Sequence, residues 1–578
     1  MPSPRSLLGL FAALLAVAAT ATAQSADALP ACHRDRICVK LVEGSGADLQ
    51  GGVLRSRTGV DLRAAARLFR RAAAEPLITA LPWEQLDALH ANACAKLPEG
   101  RRPGHLGLWF RLRIEAALAD QLLADLLEEP LIETAYLEPI YYAAGAAPPP
   151  NDIPPTTPLW TSLQHAHEPN PVGHGIRIGQ GILGGRGRGV AFRMVEFAWY
   201  LDHEDVSQLT AANFLGAVPP LNPQDANHGV AGSSLLFADR NGYGITGIVD
   251  EVEVKFLAVS SWNGVEDALV AATAASQPGD VMMLVAMVLI PQLGPGAWLP
   301  TEFFQSMFDA TLTLTANDRI LVVCAGNGGR SLDDPQLLRR FDRTFRDSGA
   351  IIVASSDAGA LVRAQYSNWG SRIDAHSWGN QVVSAGYGTL FFGNNDPRQA
   401  YTNGYSGTSA STPHIAGVVM ALQGVARRQL GRSLTLAEIQ AAIHDHGVTS
   451  PDMIARRPDL PAMLRALGLV DGLWVDAPET VPGGLIEGTL ESSQLIVAGL
   501  FLSPNAIDVD LGWNRNLHLD PGFLIGAGTY VVNGAPVPWS MALPNDPTLS
   551  GFELYFQAAR MDTNGVLELS SSGHVTVR

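Results

Sequence analysis

Beyond its first two dozen residues, this chain of 578 residues has no apolar run both long and uninterrupted enough to span a membrane. The nearest, Val281 to Ile290, has the length of a core element. Cysteine is scarce, with four in all and no zinc-like spacing. Cys32, Cys38 and Cys94 stand in the N-terminal region, where an oxidising compartment allows one bridge among them and the sequence does not choose which. Cys324 stands alone inside an apolar run, so it reads as a buried thiol without the exposure or the neighbouring base that a nucleophile needs. Positive charge is outweighed, 39 Lys and Arg against 56 Asp and Glu, for a formal net charge of −17. That balance excludes nucleic acid and anionic membrane as expected partners and favours solubility. There is no internal repeat.

What is present divides the chain into four parts. Arg5, the apolar stretch Leu7 to Ala19 and Ala21-Thr22-Ala23 have the order of a signal peptide over residues 1–23, so export to the periplasm or the medium is expected. From 24 to 150, the alternation of Leu106, Leu108, Phe110, Leu112 and Ile114 predicts a strand, Ala116 to Leu127 a helix, and Ile132 to Leu137 a second strand, together a small α+β unit. The stretch Ala146 to Pro155, rich in proline, reads as a stiff exposed linker open to nicking. Residues 156–475 alternate apolar strands with helices such as Thr412 to Leu430 and Leu436 to His444, which predicts an α/β domain. Arg330 to Arg346 reads as an insertion carrying a charged helix. From 476 to 578 the pattern turns to short β-type runs, Gln494 to Leu500, Gly528 to Val532, Phe552 to Gln557, Val566 to Leu569 and Val575 to Arg578, as in a β-sandwich.

Chemistry concentrates at Gly407-Thr408-Ser409-Ala410-Ser411-Thr412-Pro413-His414-Ile415-Ala416-Gly417. Small residues allow a tight turn before Ser409, Pro413 fits the first turn of a helix, and Ala416-Gly417 lets that helix pack closely. Ser409 would then face helix N–H groups and the positive dipole end, where an oxyanion is stabilised. Upstream, Asn227-His228-Gly229-Val230-Ala231-Gly232 offers a histidine, the residue type whose ordinary pKa suits general-base work. Between them, Leu321 to Cys324 runs into Ala325-Gly326-Asn327-Gly328, where Asn327 would place a side-chain amide at a glycine turn. These three segments, in this order, resemble the histidine, oxyanion and serine motifs of the subtilisin-like (S8) serine peptidases. Val230 departs from the threonine usual there.

The resemblance implies a subtilisin-like three-layer α/β fold with a parallel central sheet, Ser409 as nucleophile, His228 as base, and Asn327 with the Ser409 N–H as oxyanion donors. The family's Asp-Ser-Gly or Asp-Thr-Gly is missing. In its place stands the strand-like run Val190 to Val195, interrupted by Arg193, then Glu196. His203-Glu204-Asp205-Val206 resembles the family's His-Pro-Asp-Leu, and gap-free counting from either flank puts Glu196 in the aspartate's position. A glutamate can orient the imidazole as an aspartate does. Asp202 as the acid, or an inactive site, are the alternatives.

The resemblance further implies that the α+β unit is a propeptide acting as folding chaperone and temporary inhibitor, and that an extended peptide or protein substrate pairs with an edge segment, here Leu284 to Ile290, which lacks the family's glycine. Ala325 and Gly326 would line one wall of the specificity pocket, giving an open apolar site. No cofactor is implied for catalysis. A structural calcium is implied at Asp205 and Asn241, with carbonyls of the Asp239 to Ile245 loop; a plain hydrated turn is the alternative. His203 and His414 read as packing or capping residues. Two functions stand open: a secreted endopeptidase, and a silent member of the fold serving as a binding module.

Overall fold

The computed structural model describes residues 32–98, 102–139, 141–143, 157–470 and most of 472–577. The expected signal peptide and the linker from Ala146 to Pro155 lie outside the described residues.

The N-terminal unit is an antiparallel sheet of β1 (Cys32–Leu41), β2 (Ala73–Pro76), β3 (Trp109–Arg113) and β4 (Ile132–Pro139), in the order β2-β3-β1-β4. Ile37 and Val39 of β1 and Phe110 and Leu112 of β3 share the face that meets Ala119, Leu122 and Leu126 of helix α2 (Ala116–Glu128). Spacings of three and four put those three on one stripe of the helix. Strand β3 starts later than the alternation predicts. His105 Nδ1 accepts the Gly107 N–H at 3.1 Å and so bends Leu106–Leu108 into a 3-10 turn. Helix α1 (Trp83–Lys96) flanks the unit, and β5 (Tyr141–Ala143) follows β4. No disulfide links Cys38 and Cys94; the Cys32 side chain is outside the described residues.

The central sheet is built from β6 (Ala191–Glu196), β7 (Glu253–Ala258), β8 (Val281–Leu284), β11 (Ile320–Cys324), β12 (Ile351–Ser356) and β13 (Ala375–Trp378), with the short β14 (Val448–Thr449) and β15 (Arg456–Arg457) at one side. Its order is β14-β15-β13-β12-β11-β8-β6-β7, and every pairing but β14 with β15 is parallel. Strands buried on both faces carry continuous apolar runs, as Leu321 to Cys324 does. Alternate side chains feed two cores. Met194, Met283, Val322 and Val353 pack under helix α6 (Thr408–Leu430), whereas Val195, Leu284, Leu321 and Ile352 meet α4 (Val265–Ala274) and α5 (Gln305–Ala316). Helix α3 (Pro223–Phe237) lies beside α6, and α7 (Leu436–His446) follows it. The outcome is a three-layer α/β arrangement whose parallel strands all end at one edge, where ligand sites of open α/β sheets form. Two more strands, β9 (Ala286–Leu289) and β10 (Trp298–Pro300), stand just past that edge.

Two local expectations are corrected. Helix α6 begins at Thr408, so Pro413 is in its sixth position rather than its first turn. The Arg330–Arg346 stretch holds no charged helix: Leu338 and Arg339 adopt φ of 53° and 59°, which breaks a right-handed helix, and its regular part is a 3-10 turn at Pro335–Leu337. The stretch is held by its arginines, with Arg340 and Arg346 donating to the carbonyls of Phe303 and Glu302.

From Leu473 onward two sheets face each other, one of three strands (Leu473–Val475, Leu485–Leu490, Val537–Ala542) and one of five. Ile486 and Trp539 from the first meet Leu500, Phe556 and Val575 from the second. The two last β-type runs of the sequence belong to one strand, Leu567–Val577. This unit docks on the central domain by main-chain bonds, Leu183 N to Ser572 O and His574 N to Gly181 O, both 2.9 Å. Charge pairs add to it: Arg186 bonds Asp250 and, at 3.1 Å, Glu553, while Arg240 bonds Asp250 and Glu479.

Candidate active site

Glu196 is the last residue of β6, so its side chain leaves the sheet at the strand-end edge. Its Oε1 accepts the N–H of Phe197 at 2.8 Å, and its Oε2 lies 2.7 Å from His228 Nδ1. Both side chains are buried, with 0% and 3% of their surface exposed. A carboxylate in that place makes Nδ1 the protonated nitrogen and leaves the lone pair on Nε2. Helix α3 brings His228 there because it can approach the chain after β6 closely. A Cβ on Gly229 would come 2.2 Å from Ala198 O. The helix start is fixed by Asn222, whose side chain accepts from Gln224 N, and by Pro223 in the first turn. Asn227 Oδ1 ties the same turn to Tyr387 N at 2.8 Å.

Ser409 is the second residue of α6, preceded by Gly407 at φ 94°, a conformation that favours glycine. Gly407 N donates to Gly379 O at 2.9 Å. Thr408 turns both its N–H and its hydroxyl to Asn327 Oδ1, each at 2.9 Å. With its oxygen held on that side, the Asn327 amide presents Nδ2 to the other. The Ser409 N–H belongs to the first helical turn, where no helix carbonyl takes it. Pro413 has no N–H for the Ser409 carbonyl, and Tyr405 supplies the missing donor, its OH reaching Ser409 O at 3.2 Å. The Tyr405 ring also stands edge-on to His228, with centroids 5.9 Å apart. Ser409 is fully buried, and its Oγ has no hydrogen-bond partner among the described residues.

Residues 208–453 match the family model described as "Subtilase family". This stretch is a subtilase-family domain. An "Extracellular protease" of Xanthomonas campestris pv. campestris is 41% identical over 75 residues, which is 13% of this chain and 12% of that protein. An "Alkaline proteinase" of Hapsidospora chrysogena is 33% identical over 106 residues, 18% of this chain and 24% of its own length. The chain thus covers under a quarter of each of these relatives. Among solved structures, a lanthipeptide protease aligns over 54% of this chain and 99% of its own at 15% identity, with a TM-score of 0.40.

The other predicted residues fall as follows. Asp202 is exposed at a bend with φ 56°, while the carboxylate that meets His228 Nδ1 is Glu196. His203 is buried, its Nε2 donating to Ala400 O at 3.1 Å and its Nδ1 accepting from Asp205 N at 3.2 Å. His414 packs inside α6, bonded through Nδ1 to Ser377 Oγ at 3.0 Å, and burial pushes its pKa down to about 3. Cys324 donates its thiol to Ala286 O at 3.1 Å, and burial pushes it up to about 12, so it carries no nucleophilic thiolate. Asp205 accepts from Asn241 Nδ2 and from Ile245 N, both at 2.8 Å. Burial pushes it up to about 8, and Asp239 and Glu204 push in the same direction.

An open specificity pocket was expected beside Ala325 and Gly326. The loop after β9 folds back as β10, pairs with β9, and sets the Trp298 main chain against Gly326 and Gly328. On its other edge β9 is paired antiparallel by β5, with Ala286 opposite Ala143 and Val288 opposite Tyr141. Sequence reading missed Tyr405, Trp298 and Asn368. Only Tyr405 left a signal, since a proline four residues after Ser409 in one helix implies a carbonyl in need of an outside donor.

Proposed function

We propose that this chain is an exported serine endopeptidase, made as a precursor, that hydrolyses peptide bonds through an acyl-enzyme on Ser409. The observation that carries the reading is the Glu196 Oε2 to His228 Nδ1 contact of 2.7 Å, anchored from behind by the Phe197 N–H. Ser409 Oγ attacks the scissile carbonyl carbon while its proton passes to His228 Nε2. Glu196 keeps the proton on Nδ1 and stabilises the imidazolium that forms. Asn327 Nδ2 and the Ser409 N–H receive the oxyanion; losing one such donor costs about 3–4 kcal/mol of transition-state stabilisation. Collapse breaks the C–N bond, the leaving amine takes the Nε2 proton, and water repeats the sequence on the acyl-enzyme.

A substrate adds as a strand to β9, the edge that β5 occupies. That occupancy, with the full burial of Ser409, supports reading the N-terminal unit as propeptide and inhibitor. It docks by polar bonds: Asp267 accepts from Thr79 N, Thr79 Oγ1 and Ala80 N at 2.5–2.6 Å, and Tyr136 OH bonds Ser306 Oγ at 2.5 Å. Export is supported by the first 23 residues and by the printed name of the Xanthomonas relative. No helix among the described residues is long and apolar enough to cross a membrane.

A structural calcium fits the donor chemistry at Asp205. The carboxylate is fully buried with Asp239 and Glu204 near it, and a Cβ on Gly244 would come 2.2 Å from Asp205 Oδ2, so the loop packs directly against it. Asn241 would have to turn its amide over to present oxygen. Among the described residues no group of three His, Cys, Asp or Glu is placed to hold a metal. The ion would join the Asp239 to Ile245 loop to the segment carrying Asp205 and has no part in the chemistry.

An intact Glu196–His228 pair weighs against the silent binding module. The test is Ser409→Ala against wild type: wild type should lose residues 24 to about 150 and hydrolyse casein, and the variant should keep them and be inert. Hydrolysis by the variant at the wild-type rate overturns the reading.

A further inference from the structure

We infer that the subtilase domain cleaves after glycine or alanine, because the slot for the side chain before the scissile bond is closed by the protein's own main chain. The inference rests on the peptidase reading and names its substrate class.

Strands β8 and β11 are parallel neighbours, Leu284 opposite Val323. Past the sheet edge they continue as β9 on one side and as the turn Ala325 to Gly328 on the other. A peptide paired to β9 on the edge that β5 occupies, with its carbonyl at Asn327 and Ser409, ends at the mouth of the gap between these two segments. The side chain of the residue bearing that carbonyl must enter the gap, because successive side chains of a strand leave on opposite faces.

The gap is bridged from wall to wall. At its near end Cys324 Sγ bonds Ala286 O across it. Beyond, β10 pairs with β9 through Pro300 opposite Met287, Leu299 opposite Val288 and Trp298 opposite Leu289, and Ile290 N to Ala297 O closes the hairpin at 3.0 Å. The Trp298 carbonyl stands 2.8 Å from a Cβ built on Gly326 and 2.7 Å from one built on Gly328, so the β10 main chain touches the opposite wall. Asn368, fully buried, fixes it there: its Nδ2 donates to Trp298 O at 2.6 Å and to Ala325 O at 2.7 Å, and its Oδ1 accepts from Arg330 N at 3.0 Å. Hydrogen or methyl needs nothing to move. A leucine or phenylalanine side chain has to displace hydrogen-bonded backbone. The chain's own sequence after β5 runs Ala144-Gly145-Ala146-Ala147, all small.

The experiment expresses the full-length chain, digests a peptide library with the secreted enzyme after maturation, sequences the products, and labels the same preparation with a fluorophosphonate, which has no side chain to place. Cleavage should follow Gly or Ala, with kcat/KM at least about 100-fold above matched Leu or Phe substrates, the discrimination a pocket wall gives. In Asn368→Ala the Leu-to-Ala ratio of kcat/KM should rise several-fold, whereas general damage would lower both rates together. Labelled enzyme that cleaves equally well after Leu or Phe overturns the inference and leaves the peptidase reading standing, and an unchanged ratio in Asn368→Ala removes the Trp298–Asn368 closure as its cause. Protein that neither labels nor cleaves overturns both.

Discussion

Replacing Glu196 by glutamine separates charge and tautomer from shape, and the surroundings decide which way the amide must lie. Phe197 N–H points at Oε1 from 2.8 Å and tolerates only an acceptor there. The amide oxygen of Glu196→Gln therefore stays on Phe197 and its NH2 faces His228 Nδ1, 2.7 Å away in the parent. Nδ1 then becomes the acceptor and the proton moves to Nε2, the nitrogen that has to take the Ser409 proton. The opposite orientation sets an NH2 against a backbone N–H and is no better. The corresponding acid-to-amide change in a serine triad lowers kcat about 10⁴-fold, roughly 5 kcal/mol on the barrier. Glu196→Asp keeps the charge and the tautomer, but its chain is shorter by one C–C bond of about 1.5 Å. Its carboxylate cannot reach Phe197 N–H and His228 together, so its rate should fall between wild type and Gln. The assay is kcat on a chromogenic Ala substrate, with melting curves to show that each variant is folded. Wild-type activity in Glu196→Gln, with Asp202→Asn dead, would refute the assignment and move the acid to Asp202.

Tyr405→Phe leaves the buried Ser409 carbonyl without its donor, so chemical denaturation should show a loss of about 1–2 kcal/mol, with kcat falling more than KM changes. Asp250 is pushed up by burial, but Arg240 and Arg186 outweigh that and hold it at about 2, below its ordinary 3.8. Its stabilisation is therefore present above pH 4 and lost as pH falls through 2, about 2 kcal/mol in all, and Asp250→Asn should flatten that part of the stability-against-pH curve. Chelator should lower the Tm of wild type, and Asn241→Ala should blunt the drop; a Tm indifferent to chelator removes calcium from the account.

The candidate residues stand out in the sequence because each is announced locally: a turn before Ser409, a glycine after Asn327, a helix start before His228. Glu196 was legible only through spacing, which holds because the chain from β6 to α3 is fixed by its pairing with β7 and by Gly229 against Ala198. What misled was non-local. Pro413 suggests a first helical turn unless the Tyr405 hydroxyl is known to wait at the Ser409 carbonyl. The charges of Arg330 to Arg346 suggest a helix, yet Leu338 and Arg339 take positive φ there, and Arg340 and Arg346 are spent on carbonyls of the Glu302–Phe303 turn. The closure of the pocket depends on a loop returning to pair with β9, and nothing in the local pattern of Trp298 to Pro300 says which strand it will meet. The alternation of strands and helices was readable from the apolar runs, because burial on both faces leaves no polar alternation to confuse them, whereas the parallel order of the sheet was an expectation of the family resemblance.

The most direct measurement is the identity of the residue modified by a fluorophosphonate probe in the matured protein, read by mass spectrometry of its peptides. A single adduct on Ser409, abolished in Ser409→Ala and formed about 10⁴-fold more slowly in Glu196→Gln, is the predicted result. A folded, matured protein that takes no label, or takes it on another residue, would contradict the account.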